Sequence, residues 1–149
     1  MSESTIEFKT AAQEKCYRRV VEYVRELFGE DARADDERPS FSLTNGSATI
    51  RISVYPWGTN DSYITVGAWV ILGVKMVPSL MLFLLRENYQ VACGGFGIDK
   101  EDDIFFEHSI VGSTCDQAEL SNSVAAVGVY ADKYDDEIQR LWGGKKPGE

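Results

Sequence analysis

The hydrophobic pattern of the chain changes twice, from the period of a helix to that of strands and back. Near each end, apolar residues recur every three or four positions, which predicts helices over Thr5–Phe28 and Cys115–Trp142. Glycine follows each segment, at Gly29 and at Gly143, where helices commonly end. Both ends of the chain should therefore form long amphipathic helices with one apolar stripe to bury.

Two short motifs indicate where these helices begin. Ser4 with Glu7, and Thr114 with Gln117, have the spacing of a capping box. In that motif the first side chain accepts a hydrogen bond from the backbone N–H three residues further on. The motifs predict helix starts directly after Ser4 and Thr114.

Between the helices, apolar and polar residues alternate, as in strands with one buried face. Turn-forming sequences, including Asn45-Gly46 and the acidic run Asp99–Asp103, separate the segments. The predicted strands are Phe41–Thr44, Ala48–Tyr55, Tyr63–Leu72, Tyr89–Ile98 and Ile104–Val111. This alternation leaves one apolar face for the core and a mixed face that bears several aromatic residues.

The segment Val77–Asn88 interrupts the strands with a short helix that is apolar on nearly every side. Pro78 suits its first turn. A surface helix of a monomer needs only one apolar stripe. This helix should therefore be either buried on several sides or shared with another chain.

Length and composition favour a single domain over residues 1–149. A chain of 149 residues, 44% of them hydrophobic, can build an ordinary core. The predicted class is α+β, in the order α-β-β-β-α-β-β-α. Residues 144–149 should form a flexible tail.

The charge of the chain restricts its partners. It carries 24 acidic and 15 basic residues, for a net charge of -9. Nucleic acid and anionic lipid both attract basic surfaces, so we expect neither nucleic-acid nor membrane binding. A basic partner segment fits better, unless the charge serves only to keep the protein soluble.

Cysteine usage and the N-terminal sequence indicate a cytoplasmic protein. Cys16, Cys93 and Cys115 are odd in number and widely separated, which fits neither a disulfide framework nor a metal site. The N-terminal residues lack the pattern of a signal peptide. No apolar run approaches the ~20 residues of a membrane span.

Residues capable of catalysis are present but do not form a catalytic pattern. The single histidine, His108, has Glu107 and Ser109 as neighbours, and both point to the opposite face of its strand. Cys115 stands at a predicted helix start, where the helix dipole would lower its pKa, but Asp116 opposes this effect. We therefore predict a structural histidine, no reactive thiol and no enzyme.

Three further segments could be mistaken for ligand loops. The glycines of Gly94–Gly97 match neither a dinucleotide nor a phosphate-binding motif. The acidic segments Glu30–Pro39 and Asp99–Asp103 lack the glycine and carboxylate spacing of calcium loops. We expect a strand bulge, a solvated loop and a hairpin turn, with neither cofactor nor metal.

The segments from about Phe41 to Trp142 resemble the type III secretion chaperone-like fold and, within it, the YbjN family of small bacterial proteins. The short helix that closes on Arg-Glu-Asn at residues 86–88 carries most of the resemblance. The acidic hairpin that finishes at Gly112 carries the rest. The resemblance implies an open antiparallel sheet with the first and last helices on one face, and a homodimer formed through the short helix.

These observations predict a non-enzymatic bacterial protein-binding module, chaperone-like or adaptor-like, that acts on a protein or peptide segment. Aromatic residues dominate interface energetics. The candidate client contacts are accordingly Tyr55, Trp57, Tyr63 and Trp69. The candidate dimer contacts are Leu80, Met81, Leu82 and Leu85. The alternative is a YbjN-like signalling or stress regulator, whose small ligand would lie between helix and sheet beside the glycine-rich strand and His108.

Overall fold

A computed structural model of the protein describes residues 5–149. In this part of the chain the helices are α1 (Ala11–Phe28), α2 (Pro78–Gln90) and α3 (Gln117–Trp142). The strands are β1 (Ala32–Ala34), β2 (Ser40–Asn45), β3 (Ala48–Trp57), β4 (Asp61–Ile71), β5 (Gly95–Ile98) and β6 (Ile104–Val111).

The strands form one antiparallel sheet in the order β1-β2-β3-β4-β6-β5. Helices α1 and α3 pack on the same face of it, across β3 and β4. The predicted α+β class and the open antiparallel sheet are thus confirmed. One strand was missed: Ala32–Ala34, expected within a loop, pairs with residues 41–43 at the edge of the sheet.

The core lies between the sheet and the two long helices. Its central side chains are Ile50, Ile52 and Val54 on β3 and Ile64 and Val66 on β4, all fully buried. Burial of each such side chain stabilises the fold by about 1.5–3 kcal/mol. The period-two alternation of these strands therefore reports correctly which face is buried.

Helix α1 begins later than its expected start at Thr5. Its N-cap is Thr10, whose side chain accepts a hydrogen bond from the Gln13 backbone N–H at 3.0 Å. The Gln13 side chain accepts in return from the Lys9 N–H at 2.8 Å. A second Thr-x-x-Gln box downstream thus caps the helix, while Ser4 of the predicted box lies outside the described residues.

Helix α3 also uses a different cap from the predicted Thr114. Asp116 is the N-cap, and its carboxylate accepts from the Glu119 N–H at 2.7 Å. Gly112–Thr114 form a separate 3-10 turn. Gly112 lies directly against the Ser62 side chain, where a larger residue would collide. This close approach holds the turn apart from the helix.

Strand β4 departs from strict alternation at its end. Ile71 was expected on the mixed face, yet Val70 and Ile71 are both fully buried. The pairing of β4 with β6 shifts register between Trp69 and Ile71. A bulge of this kind turns two successive side chains toward the same side.

The strand predicted over Tyr89–Ile98 is shorter than expected. Helix α2 continues to Gln90, the Val91 N–H bonds to the Glu87 carbonyl at 3.2 Å, and β5 begins only at Gly95. Tyr89, expected in a strand, instead projects from the last turn of α2.

The C-terminal segment lies against the end of the sheet. Leu72 and Lys145 exchange two backbone hydrogen bonds, at 2.8 and 2.9 Å. The Lys146 ammonium pairs with Asp136 and lies 3.7 Å from Asp135 on α3. The flexibility expected of residues 144–149 stays a prediction.

Candidate functional site

The face of the sheet opposite the helices is not covered by another element of the described chain. We call it the open face and define it by the outward side chains of β2, β3, β4 and β6. These are Ser42, Arg51, Ser53, Tyr55, Tyr63, Thr65, Gly67, Trp69, Phe105, Glu107, Ser109 and Val111. The open face is therefore the mixed face of the sequence pattern; most of its side chains are exposed or half-buried, whereas Ser53 and Thr65 in its middle are 5 and 9% exposed.

Two aromatic pairs stand at opposite ends of the open face. Tyr55 and Tyr63 are cross-strand partners whose rings stack at 5.3 Å between centroids. Trp69 and Phe105 are also cross-strand partners, with centroids 5.5 Å apart in an edge-to-face arrangement. Because Trp69 lies six positions after Tyr63 along β4, the pairs lie ~20 Å apart.

The surface between the aromatic pairs consists mainly of polar residues with short side chains. Ser53, Thr65 and Ser109 form one row across the strands. Arg51, Gly67 and Glu107 form the adjacent row. Because Gly67 has no side chain, the middle of this row is a gap.

Two depressions mark the open face. One, of about 450 Å³, extends over the polar rows toward the Trp69 end. It is lined by Ser42, Thr49, Arg51, Ser53, Tyr55, Thr65, Gly67, Ala68, Trp69, Phe105, Glu107 and Pro147. The other, of about 320 Å³, is lined by Trp57, Tyr63, Ser109, Ile110 and Val111. The stacked Tyr55–Tyr63 pair contributes one ring to each depression.

Glu107 is the electrostatically unusual residue of the open face. Its Oε2 leans over Gly67, only 3.3 Å from the position that a Cβ there would occupy. Partial burial by its surroundings raises the pKa of the Glu107 carboxyl above its ordinary value. Within residues 5–149, no basic side chain forms an ion pair with it and no donor hydrogen-bonds to it.

The four predicted client contacts all lie on this side of the sheet. The structure pairs Tyr55 with Tyr63, and it places Trp57, which is 58% exposed, beside the second depression. Sequence reasoning missed Phe105, the partner of Trp69. The alternation of β6 could have predicted it, since Phe105 falls on the face opposite the buried Phe106. The role of these residues in binding stays a prediction.

Helix α2 presents a second apolar surface. Met81, Leu82, Leu85 and Tyr89 are 41, 46, 69 and 89% exposed, and we call them the α2 patch. Leu80 was assigned to the same interface, but it is fully buried in the core and has no surface to offer a second chain. The opposite side of α2 is thus part of the core, and the candidate dimer contacts narrow to the patch.

The residues considered for catalysis have structural surroundings. His108 Nδ1 lies 2.8 Å from the hydroxyl of Ser123, a buried residue of α3. Burial, reinforced by the nearby Glu119 carboxylate, raises the pKa of the Cys115 thiol to about 12. A thiol with that pKa stays protonated near neutral pH, so its expected lack of reactivity has a physical basis.

The glycine-rich strand was a candidate ligand site. Aromatic rings of the chain itself lie directly against its glycines. A Cβ at Gly94 would lie 2.8 Å from the Phe106 ring, and one at Gly97 would collide with Phe105. Asn88 closes the strand's outer edge, since its side chain accepts from the Phe96 N–H at 2.6 Å. At these two glycines the space directly beside the strand is therefore occupied, and a small ligand there stays a prediction.

Two further features are absent from residues 5–149. No three His, Cys, Asp or Glu side chains in this range are grouped closely enough to hold a metal ion. No helix there combines the length and the apolar character that crossing a membrane requires.

Solved structures show where else this fold occurs. The chain superimposes on a chain of the HopA1–SchA chaperone–effector complex with a TM-score of 0.62 and 12% identity, over 83% of this chain and 96% of that one. A chain of the ExsC–ExsE complex superimposes with a TM-score of 0.57 and 13% identity, over 92% of this chain and 98% of that one. For the Yersinia pestis type III secretion chaperone SycH, in complex with a stable fragment of YscM2, the TM-score is 0.55 and the identity 15%, over 79% of this chain and 98% of that one. At these identities the likeness establishes the fold alone.

The family comparison covers most of the chain. No curated protein matches the sequence. Residues 14–149, however, match the model of the TY-Chap1 family, described as T3SS (YopN, CesT) and YbjN peptide-binding chaperone 1. The match includes every strand of the open face and all of α2 and α3. The protein therefore belongs to the TY-Chap1 family of peptide-binding chaperones.

Proposed function

We propose that this protein is a chaperone that holds an extended segment of a client protein on its open face. The observation that carries the proposal is the pair of exposed aromatic clusters, Tyr55–Tyr63 and Trp69–Phe105, on either side of a low polar surface. Exposed aromatic residues in a concave surface are the usual anchors of an interface. Family membership agrees with this role.

The dimensions of the open face suit an extended peptide. The ~20 Å between the aromatic pairs corresponds to about six residues of extended chain. Apolar client side chains would contact the rings at the two ends. The hydroxyl of Ser109, the exposed member of the row Ser53–Thr65–Ser109, could donate to or accept from the client backbone between them.

The proposal includes a homodimer formed through the α2 patch. A monomeric protein rarely exposes a contiguous cluster of large apolar residues without using it. Leu85 and Tyr89 are among the most exposed apolar side chains of the described chain. A second copy would bury both helices' patches around a twofold axis.

The proposed role is non-enzymatic and cytoplasmic. The buried, weakly acidic Cys115 and the hydrogen-bonded His108 support the first point. The three free thiols, Cys16, Cys93 and Cys115, support the second, since free thiols persist in a reducing compartment.

Substitution of the aromatic anchors tests the client site. Clients would be captured from the native host, the bound segment mapped by cross-linking, and a labelled peptide of that segment titrated by fluorescence anisotropy. Trp69→Ala and Tyr63→Ala should each raise Kd by roughly 30-fold, the effect of losing a hot-spot residue worth about 2 kcal/mol.

Val129→Ala provides the matched control, because Val129 is 62% exposed on α3, in the helical layer on the other side of the sheet. It should leave Kd unchanged. If Trp69→Ala and Tyr63→Ala both folded normally and bound the peptide like wild type, the open face would not be the client site.

A further inference from the structure

Glu107 occupies the part of the open face where an incoming side chain would meet it. It stands in the row Arg51–Gly67–Glu107, and its carboxylate extends over the bare backbone of Gly67. The carboxylate thus lines the larger depression, between the two aromatic pairs, with no charged partner within residues 5–149.

An unpaired carboxylate in a partly desolvated position is poorly compensated in the free protein. Its raised pKa reflects that cost. A hydrogen-bonded cation placed beside it would restore the lost solvation and add a charge-assisted hydrogen bond. Among client side chains, only lysine and arginine carry such a charge near neutral pH.

We infer that the open face selects client segments in which a lysine or arginine lies between apolar residues, with the basic side chain paired to Glu107 over Gly67. This inference rests on the proposed client site. The net charge of -9 favours the same class of segment at longer range.

Arg51, on the other side of Gly67, does not reverse this preference. Its charge acts on Asp35, whose pKa it helps to lower, whereas no charged group contributes to the raised pKa of Glu107. Bringing a client carboxylate to it would also bring that carboxylate toward Glu107, since both residues flank the same glycine. A client carboxylate at this position would thus approach Glu107 and compete with Asp35 for Arg51, whereas a client cation at Glu107 would displace no charged partner.

A matched peptide series tests the inference. The probe is a labelled peptide of about 10 residues, longer than the ~20 Å span, with one central lysine flanked by leucines in a serine background. Two companions replace the lysine with norleucine or with glutamate. Affinities would be measured by anisotropy for wild type, Glu107→Gln and Glu107→Lys at equal ionic strength.

Wild type should bind the lysine peptide about three- to fivefold more tightly than the norleucine peptide, as expected for a partly exposed ion pair. Glu107→Gln should abolish this preference, and Glu107→Lys should transfer it to the glutamate peptide. Gly67→Val should weaken binding of the lysine peptide, because its side chain would fill the space over which the carboxylate extends.

Glu101→Gln is the charge control. Glu101 lies in the exposed turn between β5 and β6, away from the open face, so its loss changes net charge equally without touching the site. If it abolished the preference as well, only long-range charge would be at work and the Glu107 pairing would be refuted.

The remaining outcomes separate the two proposals. Equal wild-type binding of lysine and norleucine peptides, still weakened by Trp69→Ala, would overturn the Glu107 inference and leave the client site standing. Absence of binding for the whole series, or binding that Trp69→Ala does not weaken, would overturn both.

Discussion

At the scale of single residues, the Arg-Glu-Asn motif at residues 86–88, which carried most of the sequence resemblance, connects α2 to the rest of the fold. The Glu87 carboxylate accepts a hydrogen bond from the Tyr134 hydroxyl at 2.6 Å, which links α2 to α3. Asn88 binds the Phe96 backbone through both its carbonyl and its amide, at 2.6 and 3.4 Å. These bonds fasten α2 to the sheet edge, and they leave Leu85, on another side of the helix, exposed.

The three thiols should differ sharply in reactivity. Cys16 and Cys115 are 1 and 4% exposed, whereas Cys93 is partly exposed beyond the end of α2. Because burial raises the pKa of Cys115 to about 12, its thiolate is scarce at about pH 8. Iodoacetamide followed by mass spectrometry should label Cys93 in the native protein and the other two only in denaturant. Native labelling of Cys115 as fast as Cys93 would contradict the buried, protonated thiol.

At the scale of elements, the hydrophobic pattern predicted those helices and strands in which burial in the folded protein follows the same period. Strand β3 alternates strictly in sequence, and α3 carries a buried stripe from Leu120 to Ile138, so burial follows the period in both, except at Ser53, which is 5% exposed. Strand β1 has no such pattern, because Ala32–Ala34 is only three residues long and is defined by its pairing with β2. Helix starts failed for another reason: each end offered two capping sequences, and packing of the turns decided between them.

The sequence predicted which side chains of each strand lie on the open face, but not which side chains of neighbouring strands lie next to each other there. The aromatic character of Tyr55, Tyr63 and Trp69 is visible in the alternation of β3 and β4. The partnership of Trp69 with Phe105, and the position of Glu107 over Gly67, depend on the register between β4 and β6. That register joins residues far apart in the chain, across α2 and β5, so no local pattern specifies it.

The two sides of α2 give a matched pair of substitutions. Leu85 is 69% exposed, and Leu84 beside it is 4% exposed. If the α2 patch forms the dimer, size exclusion with light scattering should show a wild-type dimer and a folded Leu85→Glu monomer. Leu84→Glu should instead unfold the protein, since it buries an unpaired charge at a cost of several kcal/mol. A wild-type monomer, or a Leu85→Glu variant that stays dimeric, would rule out this interface.

At the scale of the whole molecule, the C-terminal segment joins the helical layer to the open face. Lys145 pairs with the end of β4, Lys146 reaches Asp135 on α3, and Pro147 lines the larger depression. Asp135 is 4% exposed and accepts from the Ser47 hydroxyl at 2.9 Å, but its other oxygen has no hydrogen-bond donor within the described residues. The Lys146 ammonium is thus the charge that compensates this carboxylate.

The pH dependence of stability should reveal that compensation. Burial raises the pKa of the Asp135 carboxyl, while the Ser47 hydrogen bond and Lys146 lower it. Lys146→Met should therefore raise the native pKa further. The native state then holds this proton more tightly than the unfolded chain, so stability falls as pH rises above the ordinary carboxyl range.

Urea unfolding should accordingly show a larger loss of stability for Lys146→Met at about pH 7 than at about pH 3, which is below the ordinary carboxyl pKa, so that the carboxyl is largely protonated in both states. Lys145→Met is the control, because Lys145 is exposed, pairs with Leu72 through its backbone and forms no ion pair with Asp135 within the described residues. Lys145→Met changes the net charge by the same amount as Lys146→Met, and it should give a small loss of stability that is independent of pH. Equal losses for Lys146→Met at both pH values would mean that the C-terminal segment stabilises the fold by packing, and that Asp135 does not depend on its charge.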